Sequence, residues 1–98
     1  MKIRILSSAE RDLEEGYRFY ESQSLGLGSY FLDSLYSDID SLAYFGGIHQ
    51  LVFGYHRQLC KRFPFAIYYR IIDNEAVVFA ILDCRRNPSW IRERLMRG

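Results

Sequence analysis

Cysteine, proline and tryptophan are scarce in this 98-residue chain, which holds two Cys, two Pro and one Trp. Two cysteines are too few for a disulfide framework, and Cys60 and Cys84 stand in no CxxC or other metal-ligand spacing. His49 and His56 form no repeated ligand pair, so no metal site is expected. Two prolines, seven glycines and the lack of a polar tract argue against a disordered chain. The longest apolar run, Ala76 to Leu82, falls far short of the ~20 residues that cross a bilayer. Met1 to Leu6 turns polar at Ser7, too early for the apolar region of a signal peptide. These absences predict a soluble, cytoplasmic protein with no membrane contact. Enzyme signatures are missing as well: there is no GxGxxG, Walker A, HExxH or GxSxG. Gly26-Leu27-Gly28 lies between two helical patterns rather than after a strand, which makes it a poor dinucleotide loop. No cofactor is expected.

What is present suits one domain with a sizeable core: 49% of residues are apolar and 16% aromatic. The net charge of +1 hides a division. Residues 1–49 carry four cations against eight acids, and residues 50–98 carry nine cations against four acids. Eight of those nine cations are arginine, the side chain that forks onto phosphate or carboxylate. The division suits two readings equally: an acidic and a basic flank, the latter fitted to an anionic partner, or solvated rims of strands and a terminal helix.

Periodicity divides the chain in the same way. Ile3 and Ile5 alternate with Lys2 and Arg4 in a short opening strand. Ser7-x-x-Glu10 has capping-box form, and Ala9, Leu13, Tyr17 and Tyr20 follow at helical spacing over residues 8–22. Phe31, Leu35, Ile39 and Leu42 mark a second helix over 29–45, closed by Gly46-Gly47. The short link makes an αα-hairpin. Beyond it the period becomes two: a polar strand over Tyr55–Phe63, a strand over Phe65–Ile72, a turn at Asp73-Asn74, and an apolar, central strand over Ala76–Cys84. Asn87 and Pro88 read as the cap and first residue of a tail helix. The pattern β-α-α-β-β-β with a short C-terminal helix predicts an α+β fold, a helical hairpin packed on a mostly antiparallel sheet. A meander of the last three strands separates Cys60 from Cys84 by two strand spacings, so both should be free thiols.

Glu14-Glu15 and Asp38-x-Asp40 read as solvated helix faces rather than paired catalytic acids. The chemistry-bearing cluster is arginine. In a meander the ends of its first and third strands share one sheet edge, which brings Arg62 toward Arg85-Arg86 with Trp90 nearby and leaves Arg70 at the other end. Convergent guanidinium groups beside an aromatic ring can hold phosphates and stack a base.

The segments Lys61-Arg62-Phe63-Pro64-Phe65-Ala66-Ile67-Tyr68-Tyr69-Arg70 and Ala76-Val77-Val78-Phe79-Ala80-Ile81-Leu82-Asp83-Cys84-Arg85-Arg86-Asn87-Pro88 resemble the RelE/ParE superfamily of bacterial toxins. Ala9 to Glu15 and Gly28 to Asp33 match its two helices, so the resemblance spans residues 1–98 as a single domain of this type. It implies the toxin of a type II toxin–antitoxin pair, of the kind found at plasmid-stabilisation loci, with a cognate antitoxin as partner and a toxin–antitoxin hetero-oligomer as its stored form. Two activities occur on this fold: RelE-like members cut messenger RNA on the ribosome, and ParE-like members inhibit DNA gyrase. Of the nuclease's basic set, the resemblance places matches at Arg62 and Arg86. Ala66, Gln58 and Cys60 fall at positions where the nuclease is basic, and Trp90 or Arg92 lies nearest its tail tyrosine. RNA cleavage needs groups that move protons and stabilise phosphate charge, and much of that set is missing. The resulting expectation is a ParE-like growth inhibitor of DNA gyrase that binds its target through Arg62, Arg85, Arg86, Trp90 and Arg92. The alternatives are a ribosome-dependent endoribonuclease using Arg62 and Arg86, with ribosome and mRNA as partners, and an inactive remnant that only binds antitoxin.

Overall fold

The computed structural model describes residues 1–97. Strand β1 (Lys2–Ile5) leads into helix α1 (Ser7–Gln23), followed by α2 (Leu27–Asp40) and a single turn, α3 (Leu42–Phe45). Then come β2 (Leu51–Val52), β3 (Tyr55–Leu59), β4 (Phe65–Ile72), β5 (Glu75–Asp83) and helix α4 (Pro88–Met96). The strands form one five-stranded sheet in the order β1-β5-β4-β3-β2, antiparallel except where β1 runs parallel to β5. This is the expected α+β architecture, with β2 and α3 added.

The sheet is covered on both faces. The α1–α2 hairpin packs on the first face, where Leu13, Phe31, Leu35 and Ile39 meet Phe65, Ile67, Tyr69, Val78 and Ile81. The hairpin closes tightly because Gly16 lies under the Phe31 ring and Gly28 against the Tyr17 carbonyl, leaving no room for a side chain at either position. On the second face α4 lays Ile91 and Leu95 over Tyr55, Ala66, Tyr68, Ala80 and Leu82. The inner strands β4 and β5 are thus buried on both sides, as the apolar run over 76–82 predicts.

Three local expectations are corrected. The Ser7-x-x-Glu10 box does not form: Leu6 holds the cap position and accepts from Ala9 and Glu10 N–H (both 3.0 Å), because its own N–H is still tied to the sheet at Val78. Ser8 instead donates to the Phe79 carbonyl (2.9 Å). That carbonyl belongs to a β-bulge: Tyr68 pairs with Ala80 but Tyr69 with Val78, so Phe79 is the extra residue and the strand's parity flips there. The second helix starts at Leu27 rather than Ser29, since the Glu21 carboxylate accepts the N–H groups of Gly26 and Gly28 (3.0 and 2.9 Å) and so caps it from α1. It breaks at Ser41, where the Asp38 carbonyl accepts from the Ser41 hydroxyl and the Gln58 amide. The third correction is β3, which ends at Leu59 rather than Phe63. Residues 60–64 bend so that Phe63 enters the aromatic cluster of Tyr20, Phe31 and Phe65.

Between α3 and β2 the chain crosses the end of the first face as a strap pinned at Tyr69. The Tyr69 oxygen accepts the Gly47 N–H (2.9 Å), which leaves its hydrogen for the Nδ1 lone pair of His49. His56 stacks on the same ring and donates from Nδ1 to the His49 carbonyl (2.7 Å). His49 must be neutral to accept, and burial, assisted by the neighbouring His56, holds its pKa below the usual 6.5. A histidine whose folded pKa lies below its unfolded one stabilises fully above the unfolded value, and its contribution falls as pH drops through 6.5 toward the folded pKa. Urea midpoints should therefore fall between pH 7.5 and pH 5.5, and His49→Gln should flatten that slope. An unchanged slope in the variant would show that His49 does not carry it.

Candidate target-binding surface

The arginine cluster is assembled where β3 and β5 end and β4 begins. Cys60 N–H bonds the Phe65 carbonyl (2.9 Å) and Cys84 N–H the Pro64 carbonyl (2.7 Å), so the 60–64 bend and the segment after β5 are stitched to the same corner. Arg62, on that bend, and Arg85 and Arg86 are all exposed at this end of the sheet. The expected convergence of segments is there, although Arg62 projects from a bend and not from a strand.

The arginines are not equivalent. Arg85 is folded back onto Asp83, giving Nε to Oδ1 (3.0 Å) and Nη2 to Oδ2 (2.8 Å), while its backbone N–H also reaches Oδ1. That contact, chiefly the guanidinium hydrogen bonds, holds the Asp83 carboxyl below the usual carboxylate range. Arg86 makes no such pair; its guanidinium lies 4.1 Å above the Trp90 ring. Asn87 fixes this stack by accepting the Ser89 N–H (2.9 Å) and starting α4, with Pro88 following as the sequence predicts. Trp90 is half-buried against the second-face core, so it acts as a rigid platform for Arg86. Arg92 is exposed on α4. Among the described residues, Arg62, Arg86 and Arg92 join no ion pair.

Sequence reasoning missed Arg57. It pairs directly with Tyr68 in the β3–β4 ladder and shares the second face with it. Burial raises the Tyr68 phenol, and the Arg57 guanidinium beside it opposes the rise. Burial likewise raises the Cys84 thiol, and Arg57 opposes that rise too, so a guanidinium, a phenol and a thiol stand close together beside the arginine end. Only the register of a strand pair could have signalled this. The register also relocates two other residues. Gln58 and Cys60 face the helical hairpin, with Gln58 Nε2 on the Asp38 carbonyl (2.9 Å) and Cys60 packed on the first-face core, so neither sits on the arginine face. Ala66 does lie on the second face, fully buried in the core beneath α4. Arg70 lies at the far end, over the Tyr55 ring at 3.9 Å.

The two thiols are free. Cys84 is exposed, whereas burial, and then the nearby Asp38, push the Cys60 thiol far up. Native protein should show one fast thiol toward a maleimide or disulfide reagent, and unreduced, unfolded protein should show two. A Cys60–Cys84 crosslink in fresh material would contradict the strand order.

A helical hairpin on one face of a five-stranded sheet, a closing helix on the other and an arginine corner between them define the class. The same fold occurs in a solved chain of the chromosomal ParDE TA system from P. aeruginosa. The two superpose with a TM-score of 0.72 at 18% identity, covering 83% of this chain and 92% of that one. The fold expected from the RelE/ParE resemblance is therefore the fold this chain has. No family model matches the sequence, and no curated protein is similar to it. Among the described residues, no helix is long and apolar enough to cross a membrane.

Proposed function

We propose that this chain is the toxin of a type II toxin–antitoxin pair, a ParE-like growth inhibitor that acts on DNA gyrase and is held inactive by a cognate antitoxin. The observation that carries the gyrase reading is the second face itself. At Ala66, where the nuclease resemblance calls for arginine, there is a fully buried methyl group beneath α4, and Gln58 and Cys60 point away from that face. What remains is a binding corner of cations on an aromatic platform, suited to gripping a protein or protein–DNA target. The nuclease reading keeps one supporting observation, the Arg57–Tyr68 pair, which sets a cation beside a phenol on the arginine side.

The antitoxin surface we assign is the outer face of the hairpin. Tyr36 is about half exposed there, at a shallow groove of about 240 Å³ that runs between α1 and α2 past Leu13, Tyr17 and Leu32. Such a groove takes an amphipathic helix or an extended segment. Tyr20, by contrast, is a core residue. Co-expression with the adjacent reading frame tests the pairing. Growth arrest on induction of this chain, relieved by a small neighbour that co-purifies with it, is the expected result. Arrest that the neighbour does not relieve, or no arrest at all, would refute the proposal.

A further inference from the structure

The pairing of β1 with β5 stops at Ile5 and Val78, but β5 runs on to Asp83. The outer edge of β5 beyond Val78 therefore has no strand beside it, and α1 takes only part of it. Ser8 donates to the Phe79 carbonyl, and Asp12 accepts the Ile81 N–H (both 2.9 Å). Two main-chain groups are left over. Cys84 N–H turns to Pro64 on the β4 side, so Asp83 before it points its N–H the other way, to the outer edge. Ile81 gives its N–H to Asp12 on that edge, and its carbonyl points out with it. Among the described residues, neither the Asp83 N–H nor the Ile81 carbonyl has a hydrogen-bond partner.

Both groups open into a groove. A recess of about 250 Å³ lies between Glu15 and Phe19 of α1 and Ile81, Asp83 and Arg86. A second, of about 320 Å³, continues it past Asp12 to Trp90 and Arg94 of α4. The groove thus has the β5 edge as its floor, α1 as one wall and α4 as the other. Most of its charges are matched within the fold, Asp12 by Arg94 and Asp83 by Arg85. Arg11, Glu15 and Arg86 join no ion pair, which leaves two cations against one acid.

We propose that this groove takes an extended segment of the antitoxin, parallel to β5, with one residue opposite Leu82 and an acidic side chain on Arg86. The inference rests on the toxin–antitoxin pairing proposed above and gives that partner a second contact. Main-chain geometry selects the occupant. In a parallel ladder, the residue opposite position i donates to the carbonyl of i−1 and accepts the N–H of i+1. Around Leu82 those are the Ile81 carbonyl and the Asp83 N–H, the two free groups. An antiparallel strand would instead need both groups of one residue, and the Ile81 N–H is held by Asp12 and the Asp83 carbonyl by the Arg86 N–H (3.1 Å). A DNA backbone offers acceptors alone and cannot satisfy the Ile81 carbonyl. The excess positive charge favours an acid, and Arg86 is the cation beside the free pair. One flank of α1 lines the hairpin groove with Leu13 and Tyr17, and the other lines this one with Glu15 and Phe19. A partner seated in both clasps the helix and covers Arg86.

Amide hydrogen exchange, read by NMR on the full chain alone and in complex with the protein of the adjacent reading frame, tests the proposal. The Asp83 amide should exchange freely in the chain alone and at least about tenfold more slowly in the complex. The Ile81 amide, already bonded to Asp12, should be slow in both. Asp83→Pro removes the N–H and the carboxylate, whereas Asp83→Ala removes the carboxylate alone. The proline variant should therefore bind at least about tenfold more weakly than the alanine variant, with a thermal melt to show both folded. If the proline variant does not fold, the exchange rates of the parent chain decide. A complex in which the Asp83 amide exchanges as fast as in the free chain overturns this contact and leaves the pairing standing. Failure to form any complex overturns both.

Discussion

Cells induced for the Arg85→Ala/Arg86→Ala double variant are expected to keep dividing, whereas cells making the parent chain should filament and stop. In a supercoiling assay the same loss should appear as a weaker inhibitor of gyrase, with ribosome-bound messages intact in both cases. The structure divides the effect unequally. Arg85 is already satisfied by Asp83, and Arg86 is held over Trp90 with no acid partner. Arg86→Ala alone should therefore weaken inhibition by roughly 10- to 100-fold, as expected for a lost charge-assisted contact of ~1.5–3 kcal/mol. Arg85→Ala should do less. Codon-phased cleavage of messages by the parent chain, abolished by Arg86→Ala, would sink the gyrase assignment and favour the nuclease. Truncation after Asn87, an obvious alternative test, is unsuitable. Ile91 and Leu95 complete the second core, Leu95 accepts the Tyr55 hydroxyl (2.9 Å), and Arg94 pairs with Asp12 (3.0 Å), so removing α4 opens the fold rather than a binding site.

Ile81→Ala should lower unfolding free energy by about 2–5 kcal/mol, measured by urea titration. For a small domain with ~5–15 kcal/mol in total, that is a large share. Ile81 is 1% exposed, pairs with Ile67 and faces the hairpin core. Its backbone is also committed: β1 stops at Ile5, and beyond it the Asp12 carboxylate accepts the Ile81 N–H (2.9 Å) in place of a strand. The side chain thus sits where a strand edge, α1 and the inner sheet meet, and little there can collapse into the space left. A loss below about 0.5 kcal/mol, the size of a surface substitution, would mean the site is not central.

Most of this architecture is legible in the sequence. The hairpin helices announce themselves through Leu13, Phe31, Leu35 and Ile39, and β4 and β5 through their apolar alternation, because each buries a whole stripe or face. The misreadings share one cause: they depend on partners far away in sequence. Ser7-x-x-Glu10 has the right spelling for a cap, but the sheet holds Leu6 and decides the entry into α1. Strand β2 is two residues long, and its turn places Phe53 at φ 53°, a position no propensity rule assigns to phenylalanine. The bulge at Phe79 and the register of β3 settle which side chains share a face, and a one-residue difference in register reverses every one of them. That is why the place of Arg57 on the second face, and of Gln58 and Cys60 on the first, is not legible in the sequence. The arginine corner itself was legible because it follows from strand direction alone.

The parallel pairing of β1 with β5 joins residues 2–5 to residues 75–78, and the Asp12–Arg94 pair ties the first helix to the last. Contacts so distant in sequence form late, after loop closure across most of the chain. During synthesis the opening strand has no neighbour until β5 has been made. Arg86 and Trp90, which follow β5 in the chain, take up their stacked arrangement later still. A chain still short of β5 and α4 therefore has no arginine corner: the surface exists only once both ends of the fold have closed on each other.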